Sequence, residues 1–382
     1  MFFQRLTLAC TLAALLVAGL ANAQQPRPTP APPIIGAKSY LVVDAKTGKE
    51  LATLDADKRL PPASLTKIMT AYVVFSSLRD NQIGLQDEVT ISEKAWRMEG
   101  SRMFVEVGKR VSVEQLLLGL IVQSGNDASV ALAEHVAGSE SVFAALMNQY
   151  AQQLGMLSTN FVNATGWPDE NHYTTARDLA TLARAMINEF PDYYKWHAVK
   201  EFTFNDIRQP NRNKLLWRDP SVDGLKTGHT EEAGYCLVAS AERDGMRVVS
   251  VVMGAASEKS RADGSQALIS YSFRFFETRP LFKANEKVTT ARIWKSANEN
   301  SDLGVLEDLY ITIPRGSFDR LESTIDMPAA IEAPIAAGQS VATLKISLDG
   351  AEIVNAPLRA LTDNPIGSIW QRVRDSASLL FE

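Results

Sequence analysis

Pro61-Pro62-Ala63-Ser64-Leu65-Thr66-Lys67-Ile68-Met69-Thr70 is the stretch on which the reading of this chain turns. A helix beginning near Ser64 places positions three apart on one face, so Lys67 stands beside the Ser64 hydroxyl. A serine alkoxide is inaccessible at neutral pH, and attack needs a base that takes the proton as the new bond forms. An amine does this only where burial or a second cation depresses its pKa. At a helix start, Ser64 also offers its backbone N–H toward an oxyanion. Alone, the pair is equally what a capping serine and a surface lysine would leave. About one such match arises by chance in a chain this long.

Two later motifs change that balance. Ser124-Gly125-Asn126 interrupts two apolar stretches of helical period, Val113 to Val122 and Ala128 to Val136. It reads either as a helix–helix turn, which its composition favours, or as a loop presenting Ser124 as a proton relay and Asn126 as a partner for a substrate backbone. Lys226-Thr227-Gly228-His229-Thr230 lies just before a strand expected to begin near Tyr235. A strand edge carrying Lys226 and Thr227 presents a cation and a hydroxyl to a carboxylate, and Gly228 permits close backbone approach. A second cation near Lys67 would also lower that lysine's pKa. The same tripeptide occurs at Lys46-Thr47-Gly48, but ahead of Ser64 and at a hairpin turn, and it is assigned no catalytic role.

In this order the three motifs resemble the Ser-x-x-Lys, Ser-x-Asn and Lys-Thr-Gly set shared by penicillin-binding proteins and serine β-lactamases. The surrounding text, Val222-Asp223-Gly224-Leu225 and Asn211-Arg212-Asn213-Lys214-Leu215-Leu216-Trp217 included, looks like the low-molecular-mass serine D-alanyl-D-alanine carboxypeptidases. Gly125 stands where class A β-lactamases usually have aspartate. The resemblance covers nearly the whole mature chain. It implies an α/β transpeptidase-like (serine β-lactamase-like) catalytic domain with a helical insertion, then a small all-β domain and a C-terminal amphipathic helix. It implies that Ser64 attacks the carbonyl between the terminal D-alanines of a peptidoglycan stem pentapeptide, with Lys67 as base and Ser124 shuttling a proton to the leaving amine. The Ser64 and His229 backbone N–H groups would form the oxyanion hole, where losing one donor costs about 3–4 kcal/mol. Thr227, Arg261 and, less directly, Arg212 would recognise the terminal carboxylate while Lys226 supplies positive potential. In Glu258-Lys259-Ser260-Arg261, Arg261 also reads as a plain surface charge. β-Lactams would acylate Ser64, and no cofactor is implied.

The ends of the chain agree with an exported protein. Arg5, an apolar run from Leu6 to about Leu20, and Ala21-Asn22-Ala23 give a cleavable signal over 1–23. A retained anchor is the alternative; Cys10 has too little apolar sequence before it for a lipoprotein site. A proline-rich linker follows at 24–36, then a peptidase domain at 37–283, a β-rich domain at 284–361 and a terminal segment at 362–382. The mature chain keeps a single cysteine, Cys236, so it forms no intramolecular disulfide. The net charge is −5 with no basic block, which argues against nucleic acid as a partner. His135, His172, His197 and His229 lack zinc-ligand spacing, so no metal is expected.

Tyr40 to Val43 and Leu51 to Leu54 read as a hairpin. Tyr235 to Ala241 and Arg247 to Met253 read as strands joined at Asp244-Gly245, and Leu268 to Phe276 as a closing helix. Beyond Lys283, Tyr310 to Ile313 and Thr343 to Leu348 alternate as strands, the latter turning at Asp349-Gly350. From Pro365 to Phe381 an apolar stripe of Ile366, Ile369, Trp370, Val373, Ala377, Leu380 and Phe381 opposes Gln371, Arg372, Asp375 and Ser378. Such a helix either lies in a membrane interface or docks its apolar face on its own protein; the resemblance favours anchoring on the periplasmic face of the bacterial inner membrane. Three other functions remain open: a DD-endopeptidase, a class A β-lactamase, whose deacylating glutamate Glu170 matches only with wrong spacing, and a non-catalytic wall-binding scaffold.

Overall fold

The computed structural model describes residues 29–379. The signal at 1–23, the start of the linker, Leu380 and Phe381 lie outside the described residues. Strands β1 (Ser39–Asp44) and β2 (Glu50–Leu54) form the expected hairpin. A helical insertion follows, built mainly of α1 (Thr66–Arg79), α2 (Val113–Leu118), α3 (Asn126–Ala137), α4 (Glu140–Gln153) and α5 (Ala176–Glu189). The chain then returns to the sheet with β3 (Val222–Thr230), β4 (Gly234–Arg243) and β5 (Met246–Ala255), closed by α6 (Glu258–Phe275). The antiparallel order is β2-β1-β5-β4-β3. Side chains alternate as strand geometry requires. Leu41 and Val43 join the core shared with α1 and α5, whereas Tyr40 and Val42 pack with Leu268 and Ile269 of α6. The sheet is therefore covered on both faces.

Two local readings shift. The Lys226-Thr227-Gly228 motif is not ahead of a strand; it lies inside β3, at the edge of the sheet. Helix α6 starts at Glu258 rather than near Leu268. Its first turns carry charged and small polar residues, so they lack the apolar period that marks its end; the Ser257 side chain, accepting from the Ser260 N–H, is the cap.

Strand β6 (Phe276–Phe282) follows α6 directly and pairs antiparallel with β9 (Leu309–Pro314), so this pairing crosses Lys283, where the composition changes. A five-stranded sheet completes this half, with β7 (Lys287–Arg292), β8 (Asn300–Gly304), β10 (Leu321–Asp326), β11 (Ser340–Leu348) and β12 (Ala351–Ala360) in the order β7-β8-β12-β11-β10. Leu303, Leu344, Ile346 and Leu358 fill its core. Asp349 and Gly350 both take positive φ, 52° and 81°, as the tight hairpin between β11 and β12 demands.

The last helix, α7 (Ile369–Ser378), begins at a capping box of Ser368 and Gln371. Its polar edge meets the β-rich half: Asp375 is 5% exposed and accepts from the Lys295 backbone N–H at 2.7 Å. Its apolar stripe faces outward, with Trp370 83%, Ile369 69% and Val373 59% exposed. Docking of the apolar face on the protein itself is thus overturned for the described part of the stripe. Among the described residues, no single helix is long and apolar enough to cross a membrane. The bent pair α3–α4 passes by length and composition only, and both helices bury core residues.

Candidate active site

The nucleophile sits where two constraints meet. A single 3₁₀ turn, Ala63–Leu65, runs into α1, and Ala63 takes φ 49°, a conformation costly for a residue with a Cβ. Helix α1 is buried from Thr66 to Leu78, so Lys67 in its first turn has no exposed surface. Its side chain is therefore shielded from bulk solvent, and Nζ finds its partners inside. It lies 2.9 Å from Ser64 Oγ, 2.7 Å from Asn126 Oδ1 and 2.7 Å from the Thr165 carbonyl oxygen. One helical turn between serine and lysine does what the sequence spacing implies.

The other two motifs converge on the same point. A π-helical turn, Gly119–Gln123, ends at Ser124 with φ 67°, which turns the chain into α3. Ser124-Gly125-Asn126 is the expected turn between helices, and Ser124 also lines the cleft beside Ser64. Ser124 Oγ accepts from Lys226 Nζ at 2.8 Å, and that ammonium also donates to the Thr227 carbonyl at 3.0 Å. The edge strand β3 passes so close to the nucleophile turn that a Cβ on Gly228 would stand 3.2 Å from the Ser64 nitrogen. Asn126, expected to meet a substrate backbone, is committed elsewhere in this structure. Its Oδ1 faces Lys67 and its Nδ2 donates to the Glu99 carbonyl at 2.7 Å.

A cleft of about 500 Å³ opens beside Ser64, lined by Ser124, Arg212, Thr227, His229 and Arg261 among the expected residues. Arg261 is not a surface charge. It is 6% exposed, donates to the Gly228 carbonyl at 3.1 Å and stands over the Tyr235 ring. Arg212 is exposed at the rim and donates to the Gln123 carbonyl at 3.2 Å. His229 is exposed and packs on Tyr235, ring centroids 4.0 Å apart. Ser101, Lys214, Tyr235 and Glu258 also line the cleft. Sequence reasoning assigned none of them a place at the site, because only the fold brings them there.

Burial and repulsion set the protonation of the two lysines. Desolvation holds Lys67 down to about 7, with the Arg212 charge acting the same way and Asp127 opposing. Lys226 is pushed well below the ordinary lysine range, first by burial, then by Lys67, Arg212 and Arg261. Asp127, which sequence reasoning passed over, is 1% exposed and accepts from the backbone N–H groups of Met103, Phe104, Val105 and Ala128. It pins the segment that carries Ser101 against the start of α3. Glu170 is exposed, and among the described residues no carboxylate hydrogen-bonds to Ser64 or Lys67. No group of three or more His, Cys, Asp or Glu side chains among the described residues is arranged to hold a metal ion.

Comparison with known proteins places this geometry. A family profile described as D-alanyl-D-alanine carboxypeptidase matches residues 26–257, and one described as penicillin-binding protein 5, C-terminal domain, matches residues 276–365. The chain is 43% identical over 357 residues to the D-alanyl-D-alanine carboxypeptidase DacC of Escherichia coli strain K12, covering 91% of this chain and 89% of that one. It superposes on the crystal structure of penicillin-binding protein 5 from Haemophilus influenzae with a TM-score of 0.86 at 42% identity, covering 88% of this chain and 99% of the other. Penicillin-binding protein D2 of Listeria monocytogenes, in its ampicillin-bound form, matches with a TM-score of 0.58 at 30% identity, covering 63% of this chain and 98% of the other. With the three motifs gathered on one cleft and a penicillin-binding protein 5-type β half behind them, the chain belongs to the D-alanyl-D-alanine carboxypeptidase family of penicillin-binding proteins.

Proposed function

We propose that this protein is a serine carboxypeptidase that removes the terminal D-alanine from peptidoglycan stem pentapeptides, through an acyl-enzyme on Ser64. The observation that carries the proposal is the set of partners around Lys67 Nζ. A neutral amine has two N–H donors and one lone pair. Asn126 Oδ1 and the Thr165 carbonyl are pure acceptors and take the two donors. The lone pair is left for the third neighbour, the Ser64 hydroxyl. Lys67 is thereby aimed as a base, and its pKa of about 7 makes the free amine available at neutral pH.

In acylation, Ser64 Oγ bonds to the carbonyl carbon, its proton passes to Lys67, and the carbonyl π pair moves onto oxygen. The backbone N–H groups of Ser64 and His229 receive that oxyanion. Collapse of the tetrahedral adduct breaks the C–N bond as Ser124 hands its proton to the departing D-alanine nitrogen. Ser124 takes in exchange the proton that Lys67 gained, which returns Lys67 to the neutral amine. The bond from Lys226 holds the Ser124 oxygen in place. Water then attacks the ester, gives its proton back through the same amine, and frees the tetrapeptide and Ser64. Arg212 and the Thr227 hydroxyl meet the terminal carboxylate. Arg261, which lines the same cleft, meets that carboxylate too while holding the Gly228 carbonyl.

β-Lactams present a strained amide in the same place and leave Ser64 as a slowly hydrolysed ester; the ampicillin complex of the Listeria relative supports this. The outward apolar stripe of α7 supports a peripheral anchor, with tryptophan at the depth of the lipid headgroups. With an export signal at the other end, the protein would work on the periplasmic face of the inner membrane. The test is release of free D-alanine from a pentapeptide substrate, alongside labelling by a fluorescent penicillin. Wild type should do both and Ser64→Ala neither; a well-folded wild type that takes no label would remove the enzyme reading.

A further inference from the structure

The general base depends on a carbonyl that belongs to a loop, not to a helix. The Thr165 carbonyl is one of the two acceptors that orient Lys67, and it lies in the segment leading from Asn163 to Thr174. We propose that His172 is a positioning residue for the reaction: it clamps this segment onto α1 so that the Thr165 carbonyl stays on Lys67.

The His172 ring is 3% exposed and packs edge-on against Phe161. Its Nδ1 accepts from the Val162 backbone N–H at 3.3 Å, so that nitrogen carries no proton. The proton therefore sits on Nε2, which donates to Thr66 Oγ1 at 2.8 Å, on the residue next to Lys67. Two further struts join the same segment to the same helix turn: Thr70 Oγ1 donates to the Ala164 carbonyl and Lys67 to the Thr165 carbonyl, each at 2.7 Å. The loop is pressed hard against the nucleophile turn. Gly166 has φ 82°, and a Cβ there would fall 1.8 Å from the Ala63 carbonyl oxygen. Of the three struts, the imidazole is the one made by a side chain of the loop itself.

The charges facing this ring are Asp169 on its own segment, Glu140 at the start of α4 and Lys67 on α1. The carboxylates favour protonation, but burial outweighs them and Lys67 adds to it, holding His172 down to about 4. The ring thus keeps one donor and one acceptor throughout the neutral range, which the clamp needs. A cationic ring would turn Nδ1–H against the Val162 N–H.

This inference rests on Lys67 acting as the base. The experiment is the rate of Ser64 acylation by a fluorescent penicillin between pH 5.5 and 9.5, in the full chain. Wild type is compared with His172→Phe, which keeps ring volume, and His172→Gln, whose amide can donate to Thr66 and accept from Val162. Loosening the loop admits water to Lys67, and since burial is the main cause of its low pKa, the acid limb of the profile moves to higher pH. His172→Phe should show that upward shift and acylate roughly tenfold more slowly at pH 7, the scale expected for a small misplacement of a catalytic group. His172→Gln should keep the wild-type limb. Should His172→Phe fail to fold, Thr66→Val removes the other end of the bond and should show the same upward shift. A wild-type limb in His172→Phe, or in Thr66→Val where that variant substitutes for it, overturns the clamp even if the variant is slower or less stable. A folded His172→Gln that behaves as the Phe variant does also overturns it. A wild type whose rate ignores pH instead removes the base reading beneath it.

Discussion

Asp127 shows how much of a site can be invisible until the chain folds. It follows Asn126 in the sequence, yet its carboxylate is spent on backbone N–H groups some two dozen residues away. The residues proposed for the chemistry, Ser64, Lys67, Ser124 and Lys226, were legible because their three motifs, in this order, resemble a known family's set. Asp127, His172 and the buried setting of Arg261 were not, because their roles exist only as long-range contacts. Asp127→Asn keeps shape but turns a donor toward donors; with charge-assisted bonds worth about 1.5–3 kcal/mol each, the variant should lose about 2–3 kcal/mol on urea unfolding. The sign on chemistry is separate. The Asp127 charge holds the Lys67 pKa up, so removing it should move the acid limb of acylation to lower pH, opposite to His172→Phe. An unmoved or raised limb would contradict that assignment.

At the scale of elements, α7 is the clearest case of a choice the sequence left open. Its amphipathic period was readable, but not which face would meet the protein, since Asp375 looks like any exposed acid until Lys295 is found to donate to it. With the polar edge docked, the apolar stripe is free to enter a lipid interface. A fully buried large apolar side chain is worth roughly 1.5–3 kcal/mol, so a handful suffices for reversible attachment. Stopping the chain before Pro365, or Trp370→Glu, should move penicillin-labelling activity from the membrane fraction to the soluble fraction with its rate unchanged. Unaltered fractionation would return α7 to another role. The start of α6 was hidden for a related reason: its first turns bury polar groups, Arg261 and Ser265, where an apolar period is the usual signal.

For the whole molecule, the two copies of Lys-Thr-Gly make the point about context. The copy at Lys226 occupies an edge strand beside the nucleophile. The copy at Lys46 sits at a hairpin turn, where Thr47 bonds to the fully buried Asp44 and to Thr312 of β9. Thr278 of β6 donates to the same carboxylate at 2.6 Å, so this tripeptide helps join the β6–β9 pair to the catalytic sheet. Chain order separated the two readings in the sequence; the sheet explains why. Alternation and turn residues announced the strands, but the β6–β9 pairing across Lys283 depends on partners that no local pattern reveals. In the proposed mechanism this scaffold serves one proton transfer. The direct measurement is the acylation rate of the intact protein by a penicillin as pH is raised from 5.5 to 9.5. Because Lys67 loses its proton near 7, the rate should be low below that point and climb to a plateau above it. A rate that is flat across this range, or that falls as pH rises through 7, would contradict a neutral Lys67 as the base for Ser64.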